Sequence, residues 1–175
     1  MERNFFMQTN RIGFSKWSGS DLPFAERLWG NQEVTKYICA SGRFSRQDIK
    51  NRLNQEITNG ETQNIEYWPV FEVTTGKFIG CCGLRPYKEK EYEIGVHMLP
   101  EFWGQGYAFE AAAAIIQYAF SELNAQKLFA GHNPNNISSR KLLNKLGFIY
   151  IGDEFYPPTG LYHPSYELDP VDISQ

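Results

Sequence analysis

Gly104 and Gly106 stand two residues apart in the run Trp103-Gly104-Gln105-Gly106-Tyr107-Ala108, between a strand-like segment and the strongest helical pattern of the chain. Glycine adopts positive φ freely and puts no side chain in the way of an approaching ligand. Successive backbone N–H groups at such a bend converge into an anion-binding nest, and the positive end of a following helix adds to it. The chemistry on offer is the holding of a pyrophosphate by main-chain amides. A plain turn before a helix uses the same two glycines. The run is not the dinucleotide fingerprint, because Phe109 stands where a third glycine or small residue is needed, and it lacks the Lys-Ser/Thr pair of a P-loop.

The elements that must position this bend read as follows. Arg11–Trp17 alternates and predicts a strand; the residues before it, Met1 to Met7, read as a loose N-terminus with too short an apolar stretch for a signal peptide. Ser20-Asp21 opens a short helix, Leu22 to Trp29, ended by Gly30. Ser45 and Asp48 resemble a capping box, and Ile49, Leu53 and Ile57 recur every four residues until Gly60, which is expected to stop that helix. A meander follows: Tyr67–Val73, a Thr75-Gly76 turn, Lys77–Leu84, then Tyr92–Leu99 ended by Pro100. Pro69 inside the first of these predicts an edge position or a bulge. Phe109 to Leu123 is a helix, Lys127–Gly131 a short buried strand, and Ser138 to Leu146 a helix closed by Gly147. Phe148–Phe155 and Tyr162–Leu168 close the chain as paired strands. The order predicts an α+β class, a mixed α/β three-layer arrangement with helices flanking one sheet, and a single domain over residues 1–175.

Composition narrows the function classes. Of 175 residues 42% are apolar and 15% aromatic, which excludes a disordered chain. No apolar run reaches the roughly 20 residues of a membrane span. A net charge of −3 lacks the basic footprint of a nucleic-acid binder. Cys39, Cys81 and Cys82 are odd in number and lack metal spacing, which predicts free thiols in a reducing, cytoplasmic setting; Cys81 and Cys82 read as small buried hydrophobes. No metal site is expected from the cysteines and three histidines.

Glu93-Ile94-Gly95-Val96-His97-Met98-Leu99-Pro100-Glu101-Phe102-Trp103-Gly104-Gln105-Gly106-Tyr107-Ala108-Phe109-Glu110-Ala111 resembles the central motif of the RimJ/RimL-like branch of the GCN5-related N-acetyltransferase (GNAT) superfamily. A second matching block runs from Asn133 to Phe148, and Thr9-Asn10-Arg11-Ile12 and the stretch from Leu28 to Thr35 are similar to that branch too. The resemblance implies a central, mostly antiparallel sheet with one splayed parallel pair, here Tyr92–Leu99 and Lys127–Gly131. It implies acetyl-CoA as cosubstrate, its pyrophosphate on the amides of Gly104, Gln105, Gly106, Tyr107 and Ala108. Its pantetheine arm would pair with main-chain groups around Met98, and Asn136 would bond the pantetheine or thioester end. The general family pattern starts this loop with Gln or Arg; Trp103 fits the branch and has room to pack beneath the loop.

The acceptor implied is a primary amine, either a ribosomal-protein N-terminal α-amine or a small-molecule amine. Where many members carry an acid tyrosine, this chain has Leu143, and the branch nominates Ser139 as general acid. Asn136 and Ser139 also suit a helix start, although Ser138 reads as the better cap. Glu93 matches family glutamates that act as base, and in a regular strand it shares a face with Gly95 and His97, whose ordinary pKa is near 6.5. Glu110 suits the helix dipole, Arg140 and Lys145 suit a solvated surface or the coenzyme's ribose phosphate, and Trp17, Trp29, Tyr37, Trp68, Tyr156 and Tyr162 suit core or acceptor wall. Neither nucleic acid nor membrane is an expected partner; the last strands leave an edge that suits a homodimer. The competing readings are a catalytically idle acyl-CoA-binding regulatory domain on the same fold and a nucleotide-binding interaction module.

Overall fold

Eight strands join in one sheet in the computed structural model, which describes residues 3–173. In chain order the elements are β1 (Met7–Gln8), β2 (Ile12–Phe14), α1 (Leu22–Trp29), α2 (Gln32–Thr35), α3 (Arg46–Gln63), β3 (Tyr67–Glu72), β4 (Phe78–Lys88) and β5 (Glu91–Met98). Then come α4 (Tyr107–Ser121), β6 (Lys127–Gly131), α5 (Ile137–Leu146), β7 (Ile149–Tyr156) and β8 (Leu161–Leu168). The strands lie in the order β1-β2-β3-β4-β5-β6-β8-β7, and among the described residues only β5 and β6 run parallel. The mixed sheet and flanking helices are those predicted.

Alternation of apolar residues sends two cores to opposite faces of the sheet. Trp29, Leu28, Ile49 and Leu53 of α1 and α3 pack on Tyr67, Phe71, Phe78 and Cys81. Ala111, Ala112, Ile115 and Ile116 of α4 and Leu143 of α5 pack on Trp68, Val70, Cys82, Leu84 and Ile94. Each fully buried large side chain of this kind contributes about 1.5–3 kcal/mol. Cys81 and Cys82 therefore face different cores, and burial pushes both thiols up in pKa, so they behave as small hydrophobes. No helix among the described residues is long and apolar enough to cross a membrane.

Three local expectations change, and the two alternatives for Pro69 are decided. The segment before β2 is tied down from Arg3 onward: Arg3 grips Asp21 through both oxygens, and its guanidinium lies 4.2 Å over Phe71. Residues 1 and 2 of the expected loose N-terminus lie outside the described residues. Gly60 does not end α3, which runs to Gln63 and stops at Asn64 in the left-handed region (φ 56°). A side chain at Gly60 would meet the Glu66 carboxylate, so this glycine serves packing rather than termination. Pro69 lies in an interior strand rather than at an edge, and beside it the β3–β4 register shifts between Val70 and Phe71, in keeping with the bulge alternative; its carbonyl accepts from Ser15 N at 3.1 Å just past the end of β2. Finally, Asn136 rather than Ser138 caps α5, its Oδ1 accepting from Ser139 N at 3.1 Å.

Candidate active site

The bend before α4 offers a run of free donors. Gly104 and Gly106 are both left-handed, at φ 73° and 82°. The first intrahelical bond of α4 is Glu110 N–H to Gly106 O, at 3.0 Å. None of the amides from Gly104 to Phe109 donates to a protein acceptor among the described residues, and residues 103–106 are exposed. A Cβ at Gly104 would meet no protein atom within 4 Å, so the loop's front is open. Both glycines take the positive φ expected of the bend, and its amides face no protein acceptor among the described residues.

Long-range contacts hold the bend. Arg11 donates through Nη1 to Gln105 O at 2.9 Å, lies 4.3 Å over the Tyr107 ring and pairs with Glu110. Glu110 also accepts from Thr9 Oγ1, so it ties the β1–β2 turn to the helix start rather than serving the dipole alone. Tyr107 donates its hydroxyl to Glu72 Oε1 at 2.6 Å, which leaves only its main chain for a ligand. Gln105 likewise turns its side chain back, Nε2 donating to Glu101 O at 2.9 Å.

The gap between β5 and β6 supplies the second part. The parallel ladder pairs Glu91 with Lys127, Tyr92 with Leu128 and Glu93 with Phe129, and then ends, while β5 runs on to Met98. On the β4 side Leu99 N–H donates to Ile79 O at 2.9 Å, one step beyond the Gly80–Met98 pair. By antiparallel alternation the N–H and C=O groups of Val96 and Met98 therefore point away from β4, into the widening gap. Met98 O already accepts from Trp103 Nε1 at 2.8 Å. Trp103 is half exposed and reaches back to the strand instead of packing beneath the loop.

The sheet's two faces meet at this gap. Glu93, Gly95 and His97 turn toward the α1–α3 side with Tyr67. Glu93 is half-buried and makes no hydrogen bond to protein among the described residues; burial raises its pKa, against a pull from Arg85. His97 is sealed in: Nδ1 accepts from Trp29 Nε1 at 3.2 Å, and burial, with Arg52 and Arg85, holds its pKa well below 6.5. It stays neutral and out of reach, which removes it as a base.

On the α4–α5 side, Asn136 and Ser139 are half-buried at the start of α5. Asn136 has its Oδ1 engaged by Ser139 N, and its Nδ2 has no protein partner among the described residues. The Ser139 hydroxyl has none either, since its amide alone takes part in the cap. Leu143, where a tyrosine would stand, is buried in the core. Arg140 and Lys145 are exposed, Lys145 Nζ lying 4.4 Å over the Phe109 ring. Trp17, Trp29 and Trp68 are core, whereas Tyr156 and Tyr162 are exposed on the β7–β8 ribbon. A surface depression of about 520 Å³ runs along α4 against Thr9 and Arg11 and reaches Gly106 of the bend.

A family model described as an acetyltransferase (GNAT) domain matches residues 11–149, which contain every part of this site. The uncharacterized N-acetyltransferase YnaD of Bacillus subtilis (strain 168) is 31% identical over 140 residues, 79% of each chain. The GNAT-family acetyltransferase of Bacillus anthracis shares the fold with a TM-score of 0.80 at 23% identity, over 94% of this chain and 98% of its own. So does RimL, a ribosomal L7/L12 α-N-protein acetyltransferase solved with coenzyme A, with a TM-score of 0.80 at 12% identity over 95% and 98%. Given the splayed pair, the free amides at the bend and these matches, this chain belongs to the acetyltransferase (GNAT) family and is an N-acetyltransferase.

Proposed function

We infer that acetyl-CoA lies across the β5–β6 gap and that a primary amine meets it from the α1–α3 side. The observation that carries this is the run of unpaired amides from Gly104 to Ala108 beside the open main-chain edge of Val96 and Met98. The amides of Gly104, Gln105, Gly106, Tyr107 and Ala108 hold the diphosphate. Val96 and Met98 pair with the pantetheine arm as an added strand would, and Asn136 donates from Nδ2 to its thioester end. Acetyl-CoA supplies an activated acetyl group. Glu93 accepts the proton that the amine loses as its C–N bond forms, and its raised pKa suits that task. Ser139 delivers a proton at the departing sulfur as the C–S bond breaks.

The acceptor is a primary amine, a protein N-terminal α-amine of the kind RimL acetylates or a small-molecule amine. An α-amine, with a solution pKa of about 7.7–8, needs less from a base than a lysine-type amine near 10.4. The chain acts in the cytoplasm, its buried thiols suiting a reducing compartment. It also pairs with a second copy through β7, whose outer edge no strand among the described residues covers. β7 exposes Ile149, Tyr150, Ile151, Phe155 and Tyr156, and an antiparallel strand edge is complementary to itself under a two-fold axis.

Release of coenzyme A thiol, measured with a panel of amines, tests the catalytic reading. Turnover is expected with at least one primary amine, and both Ser139→Ala and Glu93→Gln are expected to lower it by about 10²–10⁴-fold with acetyl-CoA affinity kept. Unchanged turnover in either variant removes that residue from the mechanism. Binding of acetyl-CoA without turnover on any amine would favour an idle acyl-CoA-binding domain.

A further inference from the structure

Glu93 lacks a hydrogen-bond partner among the described residues, but it has a cross-strand neighbour of opposite charge. Arg85 on β4 is its direct Cα partner, so the two side chains stand together on the α1–α3 face. Arg85 is anchored from below. Its Nη2 donates to Glu56 Oε1 at 2.8 Å, and its guanidinium lies 4.4 Å over the Tyr67 ring. Glu56 is fully buried and is also bonded by Arg52 Nε at 2.9 Å and Tyr67 N at 2.8 Å. The Nε–H of Arg85 is buried and has no partner among the described residues, so Glu56 does not exhaust this guanidinium.

Charge counting on this face leaves one position open. Two guanidinium groups, Arg52 and Arg85, pair with buried Glu56, while Glu66, the second buried carboxylate beside it, pairs with neither among the described residues and is pushed up to about 7 by burial. The remaining titratable groups around Glu93 do not compensate. His97 is held neutral, the Tyr67 phenol and the Cys81 thiol are pushed up by burial, and Phe129 on β6 is apolar. At the paired end of the strands Glu91 lies by Lys88, and Glu167 of β8 binds Lys127 of β6 at 2.7 Å. The surplus positive charge therefore falls to Glu93.

We propose that Arg85 is a positioning residue for catalysis, its charge across the strand pair keeping Glu93 ionised for the incoming amine. The proposal rests on Glu93 being the base, and burial is the force it must oppose: a half-buried carboxylate without a counter-charge would hold its proton toward neutral pH. With the guanidinium beside it, Glu93 is ready to accept one.

The test is the pH profile of kcat/KM for the full-length enzyme with an amine that it acetylates, comparing wild type, Arg85→Gln, Arg85→Lys and Glu93→Gln. Glutamine retains a donor for Glu56, and thermal unfolding and acetyl-CoA affinity verify that each variant is folded. The acidic limb of Arg85→Gln is expected to move up by about one pH unit or more, as loss of a neighbouring opposite charge requires. Arg85→Lys is expected to restore most of it. An unmoved limb in Arg85→Gln, with Glu93→Gln still inactive, overturns the role of Arg85 and leaves the base in place. Full activity in Glu93→Gln overturns both. Should Arg85→Gln not fold, titration of the Glu93 carboxyl in the wild-type protein by NMR decides: a group still protonated at pH 7.5 contradicts the proposal, and one ionised there supports it.

Discussion

Glu66 shows what a single buried charge does to this fold. Its side chain is 1% exposed, one oxygen accepts from Trp17 N at 2.9 Å, and burial pushes its pKa from 4.5 to about 7. The folded chain thus binds this proton more tightly than the unfolded chain does. The resulting stability is fully present below about pH 4.5 and is lost as pH rises toward 7. Glutamine keeps the acceptor for Trp17 and never ionises. Glu66→Gln is expected to melt above wild type at pH 8, with the gap closing at pH 5; a gap independent of pH would contradict the assignment. Legibility at this scale divides by sequence distance. The two glycines, Asn136 and Ser139 were readable because each belongs to a local pattern. Arg85 and Arg11 were not, since one works through strand register and the other reaches Gln105 across 94 positions. The face of His97 followed from alternation, but nothing local tells that Trp29 covers it.

At the scale of elements, α1 and β6 fall where their patterns predict, because each has its stop signal and apolar spacing in its own sequence. Gly60 was misread because a glycine that ends a helix and one that makes room for Glu66 look alike in sequence. The cap of α5 was misplaced between two plausible residues, and only the Asn136 side-chain bond to Ser139 N decides it. β7 has a further consequence: all its residues but Gly152 are exposed, which is unusual for a strand left at the edge of a sheet. If a second copy covers it, Ile151→Lys is expected to convert a dimer to a monomer by light scattering, without loss of secondary structure. A wild-type chain that is monomeric at high micromolar concentration would contradict that pairing.

Across the whole molecule, the fold serves the site by bringing two faces of one sheet together where a parallel pair comes apart. The ordered list of helices and strands made an α+β sheet with flanking helices legible. The insertion of β8 between β6 and β7 was not, because that order depends on which edges meet after the chain has folded. The same holds for the gap itself: β5 outruns its pairing with β6, and only the ladder shows where it stops. Both glycines lie at the end of the sheet where that gap widens, and the proposed binding of acetyl-CoA rests on their amides. Isothermal calorimetry of acetyl-CoA with wild type and Gly104→Asn tests this most directly. Asparagine tolerates the left-handed conformation, and its Cβ would meet no protein atom within 4 Å, so the added bulk is expected to obstruct what lies before the loop. Saturable binding to wild type, weakened at least about tenfold (about 1.4 kcal/mol) in Gly104→Asn at an unchanged melting temperature, is the expected result. Equal affinities, or no binding to wild type at millimolar acetyl-CoA, would contradict the account.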